Sequence, residues 1–155
     1  MGPLRSYYPR MIRLSKLTDY ASVVLTELAR TPEALRSAGA VAETTGVPRP
    51  TVTKVLKLLT QAGLTRSIQG PKGGYQLARS ARQIDLADII AAIEGPSGVT
   101  ECATNHDDCE LTAHCHVMDH WQRVSVQINQ LLRSVTLAEL ATPKLQRIPT
   151  LQVQD

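Results

Sequence analysis

The chain has 155 residues and a formal net charge of +3, and 43% of its residues are hydrophobic. Because no apolar run is long enough to cross a bilayer, the composition excludes a membrane-spanning protein and predicts one soluble domain with a short appendage. The chain holds one tryptophan and no phenylalanine, so the core is expected to consist of leucine, valine, isoleucine and alanine.

The amino-terminal segment MGPLRSYYPR contains two prolines and lacks the apolar stretch of a secretory signal. We therefore predict a flexible leader over residues 1–10 and a cytoplasmic location, with no membrane partner. In that reducing compartment, clustered thiols indicate metal or redox chemistry more than disulfides.

Three helices are predicted in the first half of the chain. The first begins after Ser15, a typical N-cap, and runs to Arg30. A short second helix ends at Gly46, which suits a left-handed cap. The third has prolines at its entry and Gly63 at its exit, and its apolar residues recur at helical spacing: Val52, Val55, Leu56 and Leu59. This order, with a tight turn between the last two helices, is typical of a helix-turn-helix.

A β-hairpin is predicted next, from Leu64 to Ala78, because two strand-like runs flank the segment QGPKGG. A helix-turn-helix followed directly by a hairpin is the winged-helix arrangement, and Lys72 is expected at the tip of the wing. The predicted fold class is thus mainly α with a small β-hairpin wing. This DNA-binding domain covers residues 11–95 and includes one more helix, whose apolar set is Ile84, Leu86, Ile89, Ile90 and Ile93, and which ends at Gly95.

A long amphipathic helix is predicted to begin near Val117. Together with a short C-terminal helix it occupies residues 117–141, and residues 142–155 form a flexible tail. The apolar residues of the long helix recur at steps of three and four: Trp121, Val124, Ile128, Leu131, Leu132 and Val135. Since such a long stripe beside a small domain favours packing against a second copy, we predict a homodimer.

Cationic residues are concentrated in the third helix and the wing. From Thr44 to Ile84 there are seven lysines and arginines and no acidic residue, whereas residues 101–119 hold five acidic residues and no cation. An ordinary solvated surface is the simpler explanation, but this order of elements favours contact with double-stranded DNA. We assign Arg49 to a base edge and Lys72 to a phosphate. The outward positions of the third helix complete the set: Thr51, Thr53, Lys54 and Lys57.

All three cysteines and all four histidines lie between Thr100 and Trp121. The spacing Cys102-x6-Cys109-x5-Cys115, within a loop over residues 96–116, lacks the close pairs of a typical zinc site. It favours a larger object with soft thiolate donors, such as an iron-sulfur cluster, and leaves one ligand to be supplied. Three alternatives remain: buried structural cysteines, a Cys3His zinc site, and a cysteine nucleophile. No partner motif supports the nucleophile, so we predict neither an enzyme nor a small-molecule substrate.

Several motifs together resemble the Rrf-type winged-helix regulators, a family with IscR-like iron-sulfur and NsrR-like nitric-oxide-sensing members. The motifs are RLSKLTDYA, GVPRPTVTKVLKLLTQAGL, GPKGGYQLA and ADIIAAIEG, followed by three cysteines and a tryptophan-bearing helix. The resemblance extends from Met11 to Leu140. EGPSGVTEC and HWQRV are most similar to the subgroup that regulates the SUF cluster-assembly operon.

The resemblance implies a homodimeric transcription regulator that grips a palindromic operator and binds a 2Fe-2S or 4Fe-4S cluster. The implied cluster ligands are Cys102, Cys109 and Cys115. Where IscR-like members have a histidine three residues past the last cysteine, this chain has Met118. The fourth ligand is one of three candidates: Asp19 of the partner subunit, His116 or His120.

The implied function is control of iron-sulfur cluster assembly (SUF or ISC) or related stress genes. The alternatives are a nitric-oxide or redox-sensing repressor of the same fold, and a zinc- or thiol-based regulator without a cluster. Some members insert an arginine of the wing into the minor groove. Gln69 replaces it here, so we place Gln69 among the DNA-contacting residues but do not expect an identical operator.

Overall fold

The computed structural model describes residues 13–95 and 117–142. The leader, the loop over residues 96–116 and the tail from residue 143 onward lie outside the described residues.

Three helices open the domain: α1 spans Lys16–Arg30, α2 Ala38–Thr45 and α3 Arg49–Gln61. Ser15 caps α1 as predicted, because its hydroxyl oxygen accepts a hydrogen bond from the Thr18 backbone N–H at 3.3 Å. Gly46 ends α2 with a φ of 73°, a left-handed conformation that glycine adopts at little cost. The predicted helix-turn-helix is confirmed.

The wing is a two-stranded antiparallel hairpin of β1, Thr65–Ile68, and β2, Gly74–Leu77. Arg36, in the connection between α1 and α2, extends the hairpin by one bridge. The Arg36 N–H donates to the Tyr75 carbonyl at 2.9 Å, and the Tyr75 N–H donates back at 2.8 Å. The wing is therefore fastened to the helix-turn-helix by backbone hydrogen bonds.

The remaining described elements are a 3-10 helix at Ala81–Gln83, α4 at Leu86–Glu94, α5 at Met118–Arg133 and α6 at Leu137–Ala141. Two boundaries differ from the prediction. Ile84 is fully buried but precedes α4, because the capping box of Asp85 starts that helix. Val135 follows α5, and its carbonyl accepts from the Leu86 N–H at 3.0 Å.

The core is aliphatic, as the composition predicts. Helix α1 lies at its centre and contacts α2, α3, α4, α6 and β2. The fully enclosed side chains include Leu25, Leu56, Leu59, Ile89 and Leu137. Burial of this set fixes which face of α3 remains outside. Within the described ranges, no helix has both the length and the apolar character that a membrane crossing requires.

Candidate nucleic-acid interface

Helix α3 presents a cationic face opposite its buried one. Val52, Val55, Leu56 and Leu59 are enclosed, so the complementary side chains of Arg49, Lys54 and Lys57 are exposed. None of these three cations forms an ion pair or a side-chain hydrogen bond with another described residue. No described acidic side chain neutralises their charges.

Arg49 lies where the two helices of the helix-turn-helix meet. A Cβ added at Gly39, in the first turn of α2, would be 3.8 Å from Arg49 Cζ, so the guanidinium lies beside α2. Thr51, predicted to face outward, is half-buried. Thr53 is exposed, but its hydroxyl donates to the Arg49 carbonyl at 3.0 Å. Since a hydroxyl has one hydrogen to give, Thr53 can only accept from an external group.

The wing tip is a tight turn that exposes Lys72. The Gly73 N–H donates to the Gly70 carbonyl at 3.0 Å, which places Pro71 and Lys72 at the two central positions of the turn. A Cβ at Gly73 would lie 2.0 Å from the Ile68 carbonyl oxygen, so only glycine fits there. Lys72 is exposed with no partner among the described residues, and Gln69 is exposed beside it.

Two of the other three cations of the basic segment are engaged within the fold. The Arg66 guanidinium contacts the side-chain amide of Gln76 across the hairpin. Arg79 forms an ion pair with Asp88, at 3.3 Å between Nη2 and Oδ2. Arg82 is exposed and without a side-chain partner in the described ranges. A count of charges along the sequence treats all of these residues alike, whereas the structure separates available cations from structural ones.

The candidate metal ligands divide into two groups. Cys102, Cys109, Cys115 and His116 lie outside the described residues. Asp19, in the first turn of α1, and His120, in the first turn of α5, are both exposed, and neither side chain has a hydrogen bond or ion pair with another described residue. The described residues contain no group of three or more histidine, cysteine or acidic side chains that could hold a metal ion.

Glu94 forms contacts with Ser15 and Thr18 that the sequence did not indicate. Its Oε1 accepts from the Ser15 backbone N–H at 2.9 Å and from the Thr18 hydroxyl at 2.6 Å. The hydrogen bonds from Ser15 and Thr18 lower the pKa of Glu94 below its ordinary value. These residues are 76 to 79 positions apart, so no local pattern reveals the contact. It joins the end of α4, next to the cysteine-containing segment, to the turn that carries Asp19.

Helix α5 leaves an apolar face uncovered. Trp121, Val124 and Leu131 are 42%, 38% and 68% exposed, whereas Ile128 and Leu132 are half-buried. The helix packs on α4, but these three side chains stay partly open to solvent within the described ranges. Half of the predicted dimerisation stripe is thus exposed in the single chain, and the other half, Ile128, Leu132 and Val135, is half-buried.

Comparison with known proteins agrees with this architecture. The family described as "Rrf2: Iron-dependent Transcriptional regulator" matches residues 14–143. A putative HTH-type transcriptional regulator of Synechocystis is 32% identical over 83% of this chain and 87% of its own length. A Neisseria meningitidis relative, also a putative HTH-type regulator, is 41% identical over 56% of this chain and 57% of its own length. The chain therefore matches little more than half of that relative.

Two solved structures share the fold. CymR, the global cysteine regulator of B. subtilis, is 30% identical with a TM-score of 0.66, over 84% of this chain and 97% of its own. IscR of T. potens is 29% identical with a TM-score of 0.61, over 84% of this chain and 86% of its own. The order of helices and wing and the family match over residues 14–143 lead to one conclusion: the chain belongs to the Rrf2 family of transcriptional regulators.

Proposed function

We propose that the chain is a homodimeric transcription regulator that binds a palindromic DNA operator and whose affinity depends on an iron-sulfur cluster held by three cysteines. The observation that supports it best is the set of unpaired cations on α3 and at the wing tip. Arg49, Lys54, Lys57 and Lys72 are exposed, and none has an acidic partner among the described residues.

The DNA contacts follow from the two elements that carry these cations. A recognition helix places the residues near its N-terminus in the major groove, and Arg49 is the first residue of α3. Arginine matches the acceptor pair of guanine. Lys54, Lys57 and Lys72 neutralise phosphates, which adds affinity without sequence preference. Thr53 accepts a hydrogen bond, and Thr51 and Gln69 fill the contact surface at its edges.

The dimer would form through α5. Trp121, Val124 and Leu131 are large apolar side chains on its uncovered face, and their removal from water favours association. A two-fold symmetric dimer presents two recognition helices in opposite senses, so its operator is expected to be a palindrome.

The three cysteines are the proposed ligands because thiolates are the preferred donors to iron-sulfur clusters. Cys102, Cys109 and Cys115 belong to the connection between α4 and α5. A cluster bound to all three would limit the distance between these two helices. Asp19 of the partner subunit, His116 or His120 would supply the fourth ligand. The bound cluster would be lost under iron limitation and would react with oxidants or nitric oxide, so it would supply the signal. The regulated genes would be those of cluster assembly or related stress responses.

Metal analysis tests the cluster part of the proposal. Protein purified without oxygen is expected to be brown and to contain iron and acid-labile sulfide, and Cys109→Ser should lose both. Colourless protein with stoichiometric zinc would instead identify a zinc-stabilised regulator of the same fold. Protein devoid of iron and sulfide after reconstitution would refute the cluster. For the fourth ligand, the visible spectra of Asp19→Ala, His116→Ala and His120→Ala identify which side chain binds.

Selection from random DNA duplexes tests the DNA-binding part. The purified chain should enrich a two-fold symmetric sequence, and the Lys54→Gln/Lys57→Gln variant should bind that sequence weakly. Arg82→Gln is the matched control, because Arg82 is an exposed cation outside α3 and the wing tip. Absence of enrichment by wild-type protein, with and without its metal, would refute DNA binding.

A further inference from the structure

We propose that Asp88 is a positioning residue that joins the base of the wing to the end of α5, and so fixes the angle at which each wing meets DNA. The effect of Asp88 on DNA binding rests on the proposed function. The ion pairs of Asp88 with Arg79 and Arg133 are present in the single chain and can be tested without DNA.

Asp88 lies between two arginines from different parts of the fold. Its Oδ2 is 3.3 Å from Nη2 of Arg79, which follows the end of β2 by two residues. Its Oδ1 is 4.0 Å from Nη1 of Arg133, the last residue of α5. The same Arg133 nitrogen is 3.4 Å from Oδ2 of Asp85. One carboxylate thus contacts both the wing base and the helix proposed to form the dimer.

Both guanidinium groups are held in place by further hydrogen bonds. Arg133 Nε donates to Asn129 Oδ1 at 2.9 Å, one turn earlier in α5. Arg79 Nη1 donates to the Gln83 carbonyl at 3.3 Å. Because α5 orients Arg133 and the 3-10 helix orients Arg79, a shift of α5 reaches Arg79 through Asp88.

The backbone gives this junction a firm base. The Leu86 N–H donates to the Val135 carbonyl at 3.0 Å, and the Leu137 N–H donates to the Ile84 carbonyl at 2.8 Å. These two bonds tie the chain after α5 to the start of α4. On the other side, the backbone bonds between Arg36 and Tyr75 fasten the wing to the helix-turn-helix, and the pair of Arg79 with Asp88 joins the residues that follow β2 to α4.

Stability is not the main contribution of these ion pairs. The side chains of Arg79 and Arg133 are 40% and 57% exposed, and exposed ion pairs add little to folding. Their effect on orientation matters more. Because the wing is fastened to the helix-turn-helix, the angle between the wing and α5 also sets the angle of the recognition helix, and in a dimer formed through α5 that angle sets the distance between the two DNA half-sites. Loss of the restraint would let that angle vary and weaken the preference for one spacing.

The DNA experiment compares Arg79→Gln with Arg82→Gln. Each variant loses one positive charge, and the two positions are three residues apart. Only Arg79 pairs with Asp88. Binding is measured to the selected operator and to versions with the half-site spacing changed by one base pair. Arg79→Gln should lose about three-fold in affinity for the best spacing, a loss of the size expected for one exposed pair, and should discriminate less among the spacings. Arg82→Gln should keep the wild-type spacing profile. Equal spacing profiles in both variants would overturn the proposal.

Hydrogen exchange gives a readout without DNA. The Ala78 N–H donates to the Leu64 carbonyl at 3.0 Å and reports on the wing base next to Arg79. Arg133→Gln, on the far side of Asp88, should speed exchange at Ala78, and the Arg79→Gln/Arg133→Gln double variant should add little more. Unchanged exchange at Ala78 in Arg133→Gln, with melting unchanged, would overturn the junction. If the wild-type protein binds no DNA, the proposed function fails and this experiment alone decides on Asp88.

Discussion

Replacement of Lys72 by alanine should reduce the salt dependence of DNA binding by a calculable amount. Lys72 is exposed at the turn of the wing tip and has no partner in the described part of the chain, so its charge is assigned to a phosphate. Lys54 and Lys57 are assigned in the same way, which gives six phosphate contacts in a dimer. Each contact contributes about −0.9 to the slope of log K against log salt, so the wild-type slope should be about −5.

Lys72→Ala removes two of these contacts from the dimer. The slope should then be about −4, and the affinity at 0.15 M salt should fall by about 30-fold for all sequences, from the counterion-release relation. Because Lys72 is exposed and forms no hydrogen bond or ion pair with another described residue, the folded domain should melt as before. Fluorescence anisotropy with a labelled duplex at four or more salt concentrations measures both quantities.

Arg82→Ala and Arg49→Ala are the controls for this reasoning. Arg82→Ala loses the same charge away from the wing tip and should keep the wild-type slope. Arg49→Ala should change the preferred bases more than the slope, because Arg49 is assigned to a base edge. Identical slopes for Lys72→Ala and Arg82→Ala would refute the docking of the wing on the phosphate backbone.

Three further predictions concern the scaffold. Leu131→Glu should yield monomers in sedimentation experiments, whereas Val126→Glu should leave the dimer intact, because Val126 is 55% exposed but lies on another face of α5. Equal effects would argue against this interface. Gly74→Ala should lower the free energy of unfolding by about 1–3 kcal/mol, since its Cβ would lie 2.8 Å from the Arg36 carbonyl oxygen. Gly39→Ala, whose Cβ would have its nearest contacts at 3.8 Å, should be tolerated. Urea titration compares the two variants. Glu94→Gln should destabilise the protein at pH 7: the lowered pKa of Glu94 means that its ionised form contributes stability above the ordinary glutamate value, which is lost as the pH falls through the lowered one. The difference in the free energy of unfolding between wild type and variant should therefore shrink in urea titrations at acidic pH. A difference that stays constant with pH would contradict this role of Glu94.

The local elements of this protein could be predicted because their signals lie within a few residues. Ser15 caps α1, Gly46 ends α2, and the segment QGPKGG forms the turn of the wing. Helix ends and tight turns depend on hydrogen bonds between near neighbours. The boundaries at Ile84 and Val135 were wrong. The capping box of Asp85 starts α4 after Ile84, and Val135, beyond the end of α5, pairs with the backbone of the distant Leu86 instead.

The candidate site was predictable only in part. Charge density pointed to α3 and the wing, but it could not separate Lys72 from Arg79, which has the same charge and an internal partner. The candidate cluster ligands were found from residue type and spacing alone, and Cys102, Cys109 and Cys115 remain a prediction.

By itself, the amino-acid sequence determined the order of the helices and the wing, the aliphatic core and the grouping of thiols and imidazoles in one segment. Tertiary structure alone decided which cations remain available, which face of α5 stays open, and which distant carboxylates hold the elements together. Glu94 contacts Ser15 across 79 positions, and Arg133 contacts Asp85 across 48. Periodicity and capping act over one or two turns, whereas such pairs exist only after the core has brought distant segments within hydrogen-bonding distance.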